Sequence, residues 1–514
     1  MDDVSRGKQV AAYYKYLLDN PAMLVNYNSK SLETLRKICA KSLSPAQTLA
    51  AASLAGPQSQ QGWEKVAPGA FTFPSDDGPH WDFRREWYYL ACSLTAPGYS
   101  QPITIILSIL RHGTVPSFMR NPGQSAASAQ VISVSASVEI PQSTNHPYTD
   151  ITWAVYGDAD GVSLRASPFE WVASSSVYLK QHSTAVGDSM FPMDAVIKDE
   201  KTGLNVTLTI SPFDPNPVWF AEGDAGCAPC LDGVGYRYYS YPSLQVTGSV
   251  QIGSEVLIPS VTGSGWLDHQ WESGMTPLGY VSNAWLRAAV VVGQNSQKTP
   301  FNLNPPWNWF LIHLDNKTQI TAILLPAPAV SKGMGPFKLT NAVLLGGSAS
   351  KFHKKELNNG RVTYHAWVTH RETKYPSGWT LEFPDDDIVL YLTTTLPPPS
   401  GFGMNAGGDE FMETGVVVTG TVDGNTITGS GVAEAIGWRS TENQVKDALR
   451  TLDQSDKDTA LVNQFLPHSP DSLLVFSATM FLFWPLFVVV IITVVLVAVL
   501  VPRHNRLKKA RAAS

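Results

Sequence analysis

The chain has 514 residues, too many for one ordinary hydrophobic core, so two domains with appended segments are expected. With 16% charged residues, a formal net charge of −6 and a pI near 6.0, it carries no basic footprint for nucleic acid. Its 15 Trp, 18 Tyr and 39 Gly suit an all-β protein with large apolar interiors, and four cysteines are too few for a disulfide-held framework.

Residues 1–60 read as a helical extension. The start, Met1-Asp-Asp, lacks the basic and apolar runs of a cleavable export signal. Ser44-Pro45-Ala-Gln47 places a cap, a helix-starting proline and a capping-box glutamine before Leu49-Ala-Ala-Ala, and Gly56-Pro57 ends that helix. Leu32, Leu35 and Cys39 fall on one face of a second helix, and Tyr13 to Leu18 suggests a third. These apolar stripes are expected to be packing faces.

From Trp63 to Trp438 the pattern changes to short β-prone runs separated by turns, among them 103–110, 131–138, 204–210, 322–325, 388–392 and 416–422. Gly157-Asp-Ala-Asp-Gly161 and Asp423-Gly-Asn425 read as hairpin tips, and the first lacks the downstream glutamate of a calcium loop. Cys227-Ala-Pro-Cys230 has no second pair to complete a zinc site, and is read as a loop with two thiols or one local disulfide.

Leu473 to Val501 is 29 residues without a charge, enough to cross a bilayer core of about 30 Å. It is expected to be a single transmembrane helix. Arg503, Arg506, Lys508, Lys509 and Arg511 follow it, which argues for a cytoplasmic tail and a domain on the far side. Tail anchoring with the domain facing the cytosol suits the same residues, so the topology stays open.

The densest functional stretch is Gly263-Ser-Gly-Trp-Leu-Asp-His-Gln-Trp-Glu272. If it is extended, Trp266, Asp268 and Gln270 share one face, and Leu267, His269 and Trp271 the other. Asp268 and His269 then enter one cavity only through a bulge or turn.

Phe73-Pro-Ser-Asp-Asp-Gly-Pro-His-Trp-Asp-Phe-Arg-Arg-Glu-Trp-Tyr-Tyr-Leu90 resembles the opening signature of the carotenoid 1,2-hydratase and "predicted secreted hydrolase" superfamily. Further segments follow in that family's order: 238–248, 263–271, 307–315, 375–384, and Glu413-Thr-Gly with Gly429-Ser-Gly-Val-Ala-Glu434. The resemblance covers roughly residues 63–438. It departs at Tyr88, where a second Trp is usual, and at Gln270, where an acid or Asn is usual. It implies a mainly β fold of two lipocalin-like antiparallel β-barrels. The expected organisation is then a helical extension (1–60), a first barrel (61–252), a second barrel (253–440), a linker (441–472), the transmembrane helix (473–501) and a basic tail (502–514).

The resemblance also implies chemistry on a hydrophobic small molecule, isoprenoid or polyketide-like: hydration, or a related cyclisation or isomerisation. Protonating carbon needs an acid, aromatic faces for the cation and a positioned water. Asp268 is the first candidate acid, His269 the residue to orient water, and Glu86 the second carboxyl. Trp87, Tyr88, Trp266, Trp271, Trp307 and Trp309 are the candidate substrate-binding aromatics. Plainer readings stand beside these: an ion pair of Glu86 with Arg84 or Arg85, core packing for Trp307 and Trp309, and structural roles for Glu413 and Glu434. His353, His365 and His370 are not at ligand spacing, so no metal or cofactor is expected, and no Gly-X-Ser-X-Gly elbow occurs. The alternative to an enzyme is a carrier holding a lipid without chemistry.

Overall fold

The computed structural model describes residues 2–19, 36–37, 39–54, 63–213, 219–221, 225–231, 234–274, 307–324, 334–346, 353–396, 401–404 and 410–438. The expected linker, transmembrane segment 473–501 and tail lie outside them. Among the described residues no helix is long and apolar enough to cross a membrane.

Two curled antiparallel half-barrel sheets make up the body, with 13 and 11 strands among the described residues. The first runs from Tyr148–Tyr156 through Gln130–Glu139, Ile103–Gly113, Arg85–Thr95, Val256–Gly274 and Val234–Ile252 to Leu204–Pro212 and the strands beyond. The second centres on Trp307–Leu314, paired on one side with Gln319–Leu324 and on the other with Asn425–Ile436, followed by Glu410–Val422.

The sequence reading began the second barrel at residue 253. Among the described residues the first strand of the second sheet is Trp307–Leu314, and Val256–Gly274 is hydrogen-bonded between two strands of the first sheet. The motif around Asp268 is therefore central in the first sheet.

Arg85–Thr95 is buried along nearly its whole length, as its almost continuous apolar sequence requires of a strand covered on both faces. Tyr88, Leu90, Cys92 and Leu94 point into the first core with Ile105, Leu107 and Trp171. Tyr89 and Ala91 point the other way, onto Trp309, Leu311 and Val432 of the second sheet. The second sheet's own core holds Phe310, Trp379, Leu381 and Phe383.

Close approach of the sheets demands glycine at 415. A Cβ there would stand 2.0 Å from Thr104 Oγ1 and 3.0 Å from Glu139 Oε2, and the Gly415 N–H donates to that carboxylate oxygen at 2.8 Å.

The capping box forms: Gln47 N–H donates to Ser44 Oγ and Ser44 N–H to Gln47 Oε1, opening helix Pro45–Leu54. Leu49 of this helix packs on Val131 and Tyr156 of the first sheet. Helix Asp3–Asp19 docks beside it through an Arg6–Asp158 ion pair at 2.6 Å, with the same guanidinium over the Tyr156 ring. Asp423 and Gly424 both take positive φ, the mirror-type hairpin turn expected of Asp-Gly. Cys227 is disulfide-bonded, whereas Cys39 and Cys92 are free and buried.

Candidate functional site

Strand alternation divides the expected site residues into two groups. Arg85–Thr95 and Val256–Gly274 are antiparallel, with Glu86 opposite Trp271, Tyr88 opposite His269 and Tyr89 opposite Asp268. Glu86, Tyr88, His269 and Trp271 share the inner face of the first sheet. Trp87, Trp266 and Asp268 face outward, where the two indoles join Trp307 and Trp309 of the second sheet in one cluster. No bulge intervenes between the two strands, so Asp268 and His269 belong to different environments.

The inner group is an ion network. Glu86 Oε2 accepts from Arg111 Nε at 2.9 Å and from the His80 N–H at 2.8 Å. Its Oε1 lies 2.6 Å from His80 Nδ1 and 3.0 Å from His269 Nε2. Burial pushes the Glu86 carboxyl up, but the His80 and Arg111 charges and the histidine hydrogen bonds outweigh it and hold the group far below the usual carboxylate range. Burial opposes the charged form of His80 too, yet Glu86 and Asp76 raise it to about 9. His269, fully enclosed, is pushed down by burial against the pull of Glu86. With Glu86 ionised, neutral His269 donates from Nε2 and presents Nδ1 to the Tyr239 hydroxyl 3.0 Å away. The same hydroxyl lies 2.6 Å from Asp77 Oδ1, and its single proton serves one of these two acceptors at a time. His80 stacks on Trp271 and His269 on Tyr88, with ring centroids 3.8 and 4.0 Å apart.

His80, Glu86 and His269 bring three possible metal donors within 4.8 Å of one another. The chemistry of the set speaks against a cation. One Glu86 oxygen is shared by both imidazoles at hydrogen-bond distance, the other carries the Arg111 guanidinium, and His80 is itself cationic. Glu86 thus pairs with Arg111, neither Arg84 nor Arg85, and as an ionised carboxylate it is not a proton donor.

The outer group is different in kind. Asp268 Oδ1 accepts from Ser240 Oγ and Trp266 Nε1. Burial nevertheless raises its carboxyl to about 7, against those hydrogen bonds and with help from the Glu434 charge. Across the interface Glu413 and Glu434 are direct cross-strand partners. Burial lifts Glu434 to about 7, and burial with the Glu434 charge lifts Glu413 well above its usual range, because two adjacent carboxyls do not both ionise. Trp307 Nε1 donates to Glu434 Oε1 at 2.6 Å. Trp309 meets the rings of Tyr89 and Trp266 edge-on at 5.7 and 6.4 Å. Trp87, Gln270, Trp307 and Glu434 keep partial exposure, whereas Asp268, Tyr89, Trp266 and Glu413 are buried. The interface therefore has a partly wet rim and a proton-holding, indole-lined interior.

Sequence reasoning passed over His80, Asp77, Arg111 and Tyr239 in the inner network, and Tyr89 in the outer one. His80 and Asp77 lie inside the quoted signature, so their proximity to Glu86 was a usable signal. Arg111 carried none, since its partner is fixed by strand pairing. Glu413 and Glu434, assigned only structural roles on sequence, are made a pair by register.

The fold is that of a mainly β protein built from two curled antiparallel half-barrel sheets with few helices. The AttH-like family model matches residues 64–437, and the chain belongs to that family, within the carotenoid hydratase-like lipocalin superfamily. Among solved structures, an AttH protein from Nitrosomonas europaea is similar over 73% of this chain and all of that one, with 19% identity and a TM-score of 0.51. Kievitone hydratase from Nectria haematococca is similar over 74% of this chain and 97% of its own, at 14% identity and a TM-score of 0.47. CghA is similar over the same shares at 12% identity and a TM-score of 0.36. No curated protein matches the sequence.

Proposed function

We propose that the protein is an enzyme acting on a hydrophobic small molecule, isoprenoid or polyketide-like, in the space between the two sheets. In this reading Asp268 is the general acid. It delivers a proton to a carbon–carbon double bond or a carbonyl, and the faces of Trp87, Trp307 and Trp309 stabilise the developing positive charge. For hydration, the one ionised member of the Glu413–Glu434 pair takes the proton that the attacking water releases, and exchange with solvent at the rim returns a proton to Asp268, so the substrate gains one water and the protein ends as it began. Cyclisation or isomerisation needs only the first step and its return.

The observation that carries the reading is the set of carboxyls at the interface, Asp268 from the first sheet and the Glu413–Glu434 pair from the second, beside indole faces, with burial raising Asp268 and Glu434 to about 7 and Glu413 well above its usual range. An acid is most useful when its pKa lies near the working pH. The inner network offers no such proton at Glu86, and its role is read as holding the strands that carry Tyr89 and Asp268.

Incubation of the detergent-extracted full chain with prenylated and polyketide-like candidates, read by mass spectrometry, tests it. A gain of one water or a changed isomer, lost in Asp268→Asn while an apolar probe still binds, is expected. Turnover that survives in Asp268→Asn removes the residue from the mechanism. An unmodified co-purified lipid, with no turnover of any candidate, makes the protein a carrier. The segment 473–501 is proposed to tether the domain to a membrane, which suits a substrate dissolved in lipid. Protease protection of intact membranes decides the side.

A further inference from the structure

Tyr89 stands beside Asp268, its cross-strand partner, on the face turned toward the second sheet. The residue is 6% exposed, and its hydroxyl has no hydrogen-bond partner among the described residues. Asp268, Glu413, Glu434 and Glu139 all act electrostatically on it. Yet these carboxyls are engaged elsewhere: Asp268 by Ser240 and Trp266, Glu434 by Trp307, and Glu139 Oε2 by the Gly415 N–H and Thr395 Oγ1. Thr104 and its cross-strand partner Glu139, on the same side of the sheet, also leave Oγ1 and Oε1 unpartnered. Buried polar atoms are seldom left so, since each forfeits its hydration without replacement. Several of them at one interface, beside three tryptophans, describe a surface waiting for an oxygen as well as for apolar area.

We propose that Tyr89 binds an oxygen atom of the ligand, and that the inter-sheet site takes oxygenated hydrophobic molecules (phenols, enols or ketones) in preference to bare hydrocarbons. The inference rests on the reading that the ligand enters between the sheets. The tyrosine hydroxyl both donates and accepts, so a phenol or a carbonyl satisfies it equally. A hydrocarbon would bury the hydroxyl and leave it unbonded. Sites built around a hydrogen bond discriminate in this way against analogues that lack the group. Tyr89 is here a binding and positioning residue, orienting the ligand against the Asp268 carboxyl.

Two measurements on the detergent-solubilised full chain test this. The first uses naphthalene and 2-naphthol, which share one apolar body and differ by a hydroxyl. The ratio of their dissociation constants is compared between the wild type and Tyr89→Phe. The ratio is expected to move about fivefold against 2-naphthol in the variant, with naphthalene binding unchanged. An unchanged ratio overturns the assignment of Tyr89 and leaves the enzyme reading standing. Failure of 2-naphthol to bind the wild type overturns both the inference and the reading that a ligand enters between the sheets.

The second measurement needs no ligand. Removing an unbonded hydroxyl is expected to leave the melting temperature of Tyr89→Phe equal to or above that of the wild type. A lowered melting temperature would mean that the hydroxyl has a protein partner, and it too would overturn the inference.

Discussion

Replacing Glu86 by Gln keeps the side chain's shape and removes its charge, at a point where four donor groups converge within 3.0 Å. A carboxylate accepts from all four through two oxygens. An amide has one oxygen and one NH2, so whichever way it turns, donors face donors at either Arg111 or the histidines. Arg111 is fully buried and loses its counter-charge. Breaking one side of a buried ion pair costs about 3–5 kcal/mol, and that is the loss expected for Glu86→Gln. Because the remaining charge is the penalty, Glu86→Gln combined with Arg111→Met should recover part of it.

The loss also has a pH signature. Glu86 has its folded pKa depressed, so its contribution is full above its unfolded value of about 4.5 and fades as pH falls. His80 has its folded pKa raised from 6.5 to about 9, so its contribution is full below about 6.5 and fades as pH rises through about 9. The difference between wild type and Glu86→Gln should therefore be greatest between roughly pH 4.5 and 6.5. Urea unfolding followed by tryptophan fluorescence, at three pH values, reads both. A destabilisation below about 1 kcal/mol, typical of an exposed pair, would refute the claim that this is a buried, mutually dependent network.

Asp268→Asn is expected to act with the opposite slope. A carboxyl raised by burial to about 7 favours the folded state when protonated, so wild-type stability falls as pH rises from about 4 through about 7. The variant, which cannot ionise, should show little difference from wild type below about pH 4 and gain on it progressively as pH rises, most at pH 8; the same denaturant series checks it. Turnover should decline above about pH 7 as the acid form is lost. Gly415→Ala drives a methyl into Thr104 and Glu139 and should cost about 1–3 kcal/mol, partly restored by Thr104→Ala, in thermal melts. Ser44→Ala removes one half of the capping box and should cost about 1 kcal/mol in the Pro45–Leu54 helix, seen as faster amide exchange there.

The sequence by itself determined what depends on neighbours along the chain. Ser44 and Gln47 announced their capping box, Asp423-Gly424 its mirror turn, and the runs at 103–110 and 131–138 their strands, because each is a local hydrogen-bond or periodicity rule. The same period of two established that Asp268 and His269 point to opposite faces, before anything was known of what lay on either side.

What lies there was decided only by the tertiary structure. Local pattern says which side chains share a face and nothing about what is opposite it. That Val256–Gly274 joins the first sheet beside Arg85–Thr95 is a product of pairing between strands distant in sequence, and that Arg111 is the partner of Glu86 is set by the register of neighbouring strands; the Glu413–Glu434 pair, by contrast, follows from counting back along one hairpin from its Asp423-Gly424 turn. The stretch that looked like one site therefore serves two environments. One is an ion network locked inside the first half-barrel. The other is a proton-holding interface, where burial by the second sheet gives Asp268 the protonation behaviour of an acid.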